Sequence, residues 1–379
     1  MHAHPHVLIV GYYGFHNAGD DAVLFGILQA LKTKFPGLQA TVLSNAPEET
    51  ARTFGIRAVN RWRPGPIIRA IRAADFVVVG GGTLLQDRTS PRSPLYYLGI
   101  TELAKRFGKP VFYYGQGFGP IVHASSRFFI RRVLSGVDLI IMRDAESARE
   151  LEKTGVRGVP IAVTADPALA IDPAIADRER GRAVLADHGR TPKRPLAVVS
   201  VRPWKDRTAH LLPLARALDR VADRGFEIVF IAMQRAQDVE PALRVRAAMT
   251  RPAAVVRTPL DFRAIFGVIA EADLLIGMRL HALIFAALHG VPFVPLSYDP
   301  KIDRFVESVG LVPPLSIEAL QADALMERIE ATMNDLPALR RTLADRVPPV
   351  VDAARRSADL VYDAYRSRAR RRPGKEARR

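Results

Sequence analysis

The sequence predicts an α/β protein made of two doubly wound domains with a ligand cleft between them. Three observations carry that expectation. Short runs rich in Val, Ile and Phe alternate with helix-like segments along the chain, which implies βαβ units and parallel sheets. Several of those runs end abruptly in glycine, and in such sheets ligands bind beyond the carboxyl ends of strands. The alternation breaks once near mid-chain and then begins again.

In chain order, His6–Val10 reads as the first strand and Ala22–Lys34 as the amphipathic helix after it. Gln39–Ser44, Phe76–Val79, Pro110–Tyr114, Leu139–Met142 and Ala162–Thr164 read as the next strands. Over Asp166–Pro195, prolines and charges replace apolar periodicity, apart from one short helix. The second series has strands at Leu196–Val201, Glu227–Ala232, Ala254–Arg257, Leu274–Ile276 and Phe293–Leu296, with helices at Leu211–Arg224, Phe262–Ala270 and Leu280–Leu288. After Pro348, Val351–Arg366 reads as one final helix. The division that follows is an N-terminal Rossmann-like domain (1–170), a linker region (171–195), a C-terminal Rossmann-like domain (196–348), the final helix (349–366) and a basic tail (367–379).

Length agrees, since 379 residues is about two and a half times the ~150-residue prior for a single domain. A content of 48% hydrophobic and 25% charged residues is that of an ordinary globular protein. The absence of cysteine excludes disulfides, thiolate metal sites and a cysteine nucleophile. No apolar run reaches the ~18 residues of a membrane span, and the start MHAHPHVLIVGYYG lacks the regions of a signal peptide. The expectation is a cytoplasmic protein, with attachment to a membrane face left open. The formal net charge is +16, and Arg366–Arg379 holds eight basic residues and one acid, +7 of that total. This tail reads either as a solvated end or as a patch drawn to anionic lipid headgroups. No nucleic-acid-binding signature accompanies it.

Four segments carry chemistry. The first runs from Gly11 to Asp21, GYYGFHNAGDD, between the first strand and helix. Its glycines allow positive φ, and a helix N-terminus follows. Asp20 and Asp21 sit where an N-cap belongs; the alternative is an acid that contacts sugar hydroxyls or removes a proton. The glycines fall at 11, 14 and 19, which is not the dinucleotide G-x-G-x-x-G, so no nicotinamide cofactor is expected. The second segment is the pair of glycine-rich strand ends, Gly80-Gly81-Gly82-Thr83 and Gly115-Gln116-Gly117-Phe118-Gly119. They read as tight turns or as loops lining one groove, with Gly14, Asn17, Gly19, Asp20, Gly81, Gly82, Thr83 and Gln116 as candidate contacts. The third is Met142-Arg143-Asp144, where Arg143 either pairs with an acid such as Asp144 or offers a guanidinium fork to a carboxylate or phosphate.

The fourth is Gly277-Met278-Arg279-Leu280-His281, followed by a nearly all-apolar helix. Cations in a first helical turn oppose the macrodipole, so Arg279 and His281 make sense there if an anion sits at that helix end. A hydrogen-bonded core histidine is the other reading of His281. Past the next strand comes Ser297-Tyr298-Asp299-Pro300-Lys301, and Lys301 is one of nine lysines among 55 basic residues. No metal-ligand cluster is visible.

Together, Gly11–Asp21, Gly80–Thr83, Gly115–Gly119, Met142-Arg143-Asp144, Asp166-Pro167 and Gly277–Ala287 resemble the polysaccharide pyruvyl transferase family, and most of all its CsaB-type members of cell-wall polymer synthesis. The resemblance implies a GT-B-type fold with an acceptor-side N-terminal domain and a donor-side C-terminal domain. It implies transfer of a pyruvyl group from phosphoenolpyruvate to two hydroxyls of one sugar, giving a cyclic ketal and free phosphate. The implied acceptor is an N-acetylmannosamine unit of a lipid-linked precursor at the inner face of the cytoplasmic membrane. Phosphoenolpyruvate is the donor substrate, and no further cofactor is implied. The donor ligands implied are Arg143, His281 and Lys301, to which the reading of the residues adds Arg279. His281 is the candidate acid for the methylene carbon, and Asp20 or Asp21 the candidate base. His16 departs from the pattern, standing where a small residue is usual. The rivals are a GT-B glycosyltransferase, with Asp299 or Asp303 on a nucleotide-sugar ribose, and a non-catalytic module that has kept the cleft.

Overall fold

The computed structural model describes residues 4–87, 92–204 and 208–370. The chain forms two compact units, one of Met1–Phe15, Asp20–Ile171 and Val351–Arg379, the other of His16–Gly19 and Asp172–Val350. The first holds a seven-stranded parallel sheet: β1 (His6–Val10), β2 (Gln39–Ser44), β3 (Arg57–Asn60), β4 (Phe76–Gly80), β5 (Val111–Gln116), β6 (Leu139–Met142) and β7 (Ile161–Val163). The spatial order is β3-β2-β1-β4-β5-β6-β7. Helices α1 (Ala18–Lys34), α2 (Pro47–Phe54), α3 (Pro64–Ala73), α4 (Arg92–Arg106), α5 (Ala124–Leu134) and α6 (Ala145–Lys153) connect the strands. The order reverses between β1 and β4, so the loops after these strands diverge, as at a ligand-binding switch point. Those loops begin with Gly11 and Gly81.

The second unit repeats the plan with β8 (Leu196–Ser200), β9 (Glu227–Phe230), β10 (Ala254–Val255), β11 (Leu274–Gly277), β12 (Phe293–Ser297) and β13 (Leu315–Ser316). Their order is β10-β9-β8-β11-β12-β13, with the reversal between β8 and β11. Its helices are α7 (Arg178–Asp187), α8 (Leu211–Asp223), α9 (Arg235–Ala248), α10 (Phe262–Ala270), α11 (Leu280–Leu288), α12 (Pro300–Ser308), α13 (Ala322–Asn334) and the start of α14 (Leu336–Arg370). In both sheets the central strands are buried on both faces, as Val7–Val10, Val77–Val79 and Leu274–Ile276 show. This explains why they read as continuous apolar runs.

Several boundaries differ from the sequence expectation. Helix α1 starts at Ala18, because Asn17 Oδ1 accepts from Gly19 N at 3.1 Å. Asn17 is therefore the cap, and Asp20 and Asp21 lie inside the first turn. Strand β3, RAVN, carries no strand signal in its residues, because it is a partly buried edge strand with a charge at its start. The short helix expected between 166 and 195 is α7, and it packs on α10 where Gly181 meets Gly267. A Cβ on Gly267 would run into the carbonyl of Asp177.

Helix α14 begins at Leu336 and continues through Pro348 and Pro349. Prolines usually end or kink a helix, but buried Leu343, Val347, Ala354, Ala358 and Val361 keep one helical stripe across them. From Val351 onward it belongs to the first unit. There Ser357 Oγ lies 2.8 Å from Thr164 Oγ1, Tyr362 meets Phe35 edge-on, and Arg368 pairs with Asp138. The basic tail beyond Arg370 lies outside the described residues. Among the described residues no helix is long and apolar enough to cross a membrane.

Candidate active site

In the second unit β11 lies between β8 and β12, so the segments after these three strands leave the sheet side by side. They carry Arg202, then Arg279 and His281, then Tyr298 and Lys301. Arg202 Nη1 donates to the Tyr298 hydroxyl at 2.7 Å, and its guanidinium lies 4.5 Å from the ring centre. Lys301 Nζ is 5.4 Å from the same ring, and the Trp204 ring packs at 4.9 Å. Burial by itself would push the Tyr298 phenol up, yet Lys301, Arg202 and Arg279 outweigh it and hold the group below its ordinary value. A positive potential is thus built into this edge of the sheet. Arg202 has no carboxylate partner among the described residues.

Arg279 is the N-cap residue of α11. Its Nε donates to Asp238 at 3.1 Å and its Nη2 bonds the other oxygen of that carboxylate. Asp238 lies in the first turn of α9, is fully buried, and also accepts from Gln234 N at 2.9 Å. The bidentate contact fixes the plane of the guanidinium. His281 follows one residue into α11, whose Ala282–Ala287 are buried, so its ring is presented from an anchored helix end. Residues His16–Gly19 group with this unit. Ala18 N donates to Met233 O at 2.9 Å, and a Cβ on Gly19 would run into the His281 imidazole. Lys301 sits in the first turn of α12, where Asp299 caps its backbone N–H at 3.1 Å and its Nζ lies 3.5 Å from Asp299 Oδ2. Asp303 accepts from Ser297 Oγ at 2.8 Å. Both acids considered for a nucleotide-sugar ribose are thus engaged within their own segment.

In the first unit Arg143 follows β6, and its side chain is 7% exposed. Nη1 donates to Asp166 Oδ2 at 3.0 Å, Nη2 donates to Thr83 Oγ1 at 3.2 Å, and Nε lies 3.7 Å from Asp144. A Cβ on Gly117 would come within 2.6 Å of Nη2, so glycine is what lets that backbone pass the guanidinium. Gly82, at φ +69°, faces Asp20, whose Oδ1 is 3.5 Å from the Cβ position. Gly81, at φ +66°, is packed against Val23 of α1. Gln116 is buried and donates to Val79 O at 2.9 Å, tying β5 to β4. Gly14 folds against Ser44. His16 has φ +54°, the one non-glycine with positive φ among the described residues. Asp20 and Asp21 are half-buried at the end of α1 where the macrodipole favours acids.

Sequence reasoning missed an aromatic cluster at the ends of β1, β2 and β3. Arg61 is 3% exposed and donates to Gly11 O at 2.8 Å and Tyr97 OH at 3.3 Å. The rings of Phe15, Trp62, Tyr96 and Tyr97 surround it at 4.4–5.6 Å. Trp62 is 60% exposed, yet its Nε1 is tied to Asn45 Oδ1 at 2.9 Å. Tyr12 stacks on Phe15 at 4.0 Å and is also exposed. The cluster's one signal in the sequence is Trp62 itself, one of two tryptophans, which follows the edge strand β3. In the sequence Arg202 and Tyr298 are legible only as residues after strands, and Asp238 lies on α9, whose internal Pro241 and weak apolar pattern hide it. No group of three metal-ligating side chains occurs among the described residues.

The family model described as polysaccharide pyruvyl transferase matches residues 17–300. The amylovoran biosynthesis protein AmsJ of Erwinia amylovora is 20% identical over 398 aligned positions, covering 90% of this chain and 95% of AmsJ. A glycosyltransferase from Rickettsia africae superimposes with a TM-score of 0.64 at 15% identity, covering 95% of this chain and 98% of its own. HepE from Anabaena, solved with UDP-glucose, gives 0.63 at 14% identity, covering 94% and 99%. At such identities the likeness to solved structures speaks to the two-domain GT-B fold alone.

Proposed function

The chain belongs to the polysaccharide pyruvyl transferase family, and from that premise we propose that its donor is phosphoenolpyruvate and its product a cyclic ketal on two hydroxyls of one sugar. The proposed acceptor is N-acetylmannosamine of a lipid-linked cell-wall precursor. The observation that carries this reading is the gathering of Arg202, Arg279 and Lys301 around Tyr298 beside His281. Phosphoenolpyruvate bears a carboxylate and a phosphate a few ångströms apart. Two guanidiniums, an ammonium and the N-terminal amides of α11 suit that charge pattern. Arg143, whose nitrogens face Asp166, Thr83 and Asp144, is assigned to holding the Gly80–Thr83 turn.

The chemistry then runs in two steps. His281 gives a proton to the methylene carbon of the enol, which leaves an oxocarbenium-like centre at the neighbouring carbon. A sugar hydroxyl adds there and loses its proton. A second hydroxyl of the same sugar closes the ring as the carbon–oxygen bond to phosphate breaks, and this step gains from being intramolecular. One proton enters at carbon and two leave oxygen; Asp20 or Asp21 is the proposed base.

For the acceptor, Trp62 and Tyr12 offer fixed aromatic faces against which the apolar face of a pyranose ring can stack. Trp62→Ala is expected to raise the acceptor KM by about fivefold, since one aromatic contact is worth ~1 kcal/mol. The turnover number and the phosphoenolpyruvate KM should stay within about twofold, and Trp62→Phe should recover most of the loss. An unchanged acceptor KM would remove Trp62 from the site.

Thermal denaturation with candidate donors tests the reading as a whole, because a ligand that binds only the folded state stabilises it. Phosphoenolpyruvate is expected to raise the melting temperature, and UDP-sugars are not. Phosphate release that depends on an added lipid-linked sugar completes the test. Stabilisation by UDP-sugars with no effect of phosphoenolpyruvate would favour glycosyl transfer.

A further inference from the structure

Helix α5, ASSRFFIRRVL, buries Ser126, Ile130, Val133 and Leu134 against the first unit's sheet. Its outer face is unusual. Phe128 and Phe129 stand 52% and 42% exposed, with ring centres 5.5 Å apart, and Val122 just before the helix is 63% exposed. Around them Arg127, Arg131 and Arg132 are exposed, and the helix contains no acid. A shallow cavity of about 450 Å³ is lined by Phe128, Arg131, Arg132, Ser135, Gly155 and Arg157. None of these four arginines has a carboxylate partner among the described residues, whereas Arg149 and Lys153 on neighbouring α6 are both paired with glutamates. The helix is also held in place. Asp87 accepts from Val122 N at 2.7 Å and His123 N at 3.0 Å, bracing the turn that leads into it.

Water is a poor solvent for adjacent exposed phenylalanines, and solubility alone does not call for them. Unpaired arginines interleaved with aromatic rings match the boundary of an anionic bilayer, where rings enter the acyl region and guanidiniums meet lipid phosphates. We propose that the α5 face is a docking surface for an anionic phospholipid bilayer. A lipid phosphate sits among Arg131, Arg132 and Arg157, and Phe128 and Phe129 enter the interface. This surface is distinct from the basic tail and does not rest on the assignment of the donor.

The test is co-sedimentation of the full-length chain with vesicles of phosphatidylcholine, with and without about 30% phosphatidylglycerol. Three altered proteins are compared: Phe128→Ser with Phe129→Ser; Arg131→Gln with Arg132→Gln and Arg157→Gln; and a chain ending at Arg370. The wild type should bind only the anionic vesicles, more weakly as salt rises from about 0.1 to 0.5 M. At ~1 kcal/mol per cation the arginine variant should partition about a hundredfold more weakly, and the phenylalanine variant at least about tenfold. The shortened chain should keep binding that the two α5 variants lose, and all should melt as the wild type does. The proposal is overturned if the α5 variants bind like wild type, if shortening alone abolishes binding, or if the phenylalanine variant instead converts an oligomer to a monomer in lipid-free solution.

Discussion

His281→Ala is expected to slow phosphate release from phosphoenolpyruvate by about 10²–10⁴-fold, the usual contribution of a positioned general acid. The fold should survive, because the helix is anchored by its buried Ala282–Ala287 and not by the His281 ring in its first turn. A companion change approaches the same imidazole from the other side. Gly19→Ala places a methyl where the ring now lies, so the ring must turn, and turnover should fall while His281 remains. Deuterium incorporation into the product methyl group in heavy water reports the protonation directly. A His281→Ala protein within about tenfold of wild-type rate would show that another group delivers the proton.

The second large effect concerns Asp238. It is fully buried, and the Arg279 guanidinium closes on both of its oxygens. Removing one partner of such a pair leaves the other charge without compensation and typically costs about 3–5 kcal/mol. Asp238→Ala should therefore lower the melting temperature of the second unit by on the order of 10 °C. It should also raise the phosphoenolpyruvate KM, since the arginine loses the contact that sets its plane. Asp238→Asn keeps acceptor geometry without the charge and should fall between. An Asp238→Ala protein that melts with the wild type would mean that Arg279 is satisfied by other means, and that the carboxylate does not position it.

Much of the fold was legible in the residues because its causes are local. β1, β2, β6, α10 and α11 fall on the expected residues, since a fully buried parallel strand or apolar helix announces itself by composition alone. Elements governed by context were not legible. β3 is an edge strand whose pairing with β2, not its apolarity, makes it a strand. α14 continues through two prolines because the buried residues before and after them lie on one stripe. Asn17 took the cap expected of Asp20 or Asp21, a choice between neighbouring polar residues that sequence pattern does not decide.

Two doubly wound domains, glycines closing their strands, and Arg279 and His281 heading a buried helix can all be read from the residues in order. Each follows from the order of residues along a single strand–turn–helix unit. The partners of these side chains emerge only on folding: Arg202 on Tyr298 across 96 positions, Arg279 on Asp238 across 41, and Arg143 on Asp166 across 23. Parallel strands are joined by whole helices, so side chains that meet at a sheet's edge are far apart in the chain. Their meeting is set by strand order, which no local pattern encodes.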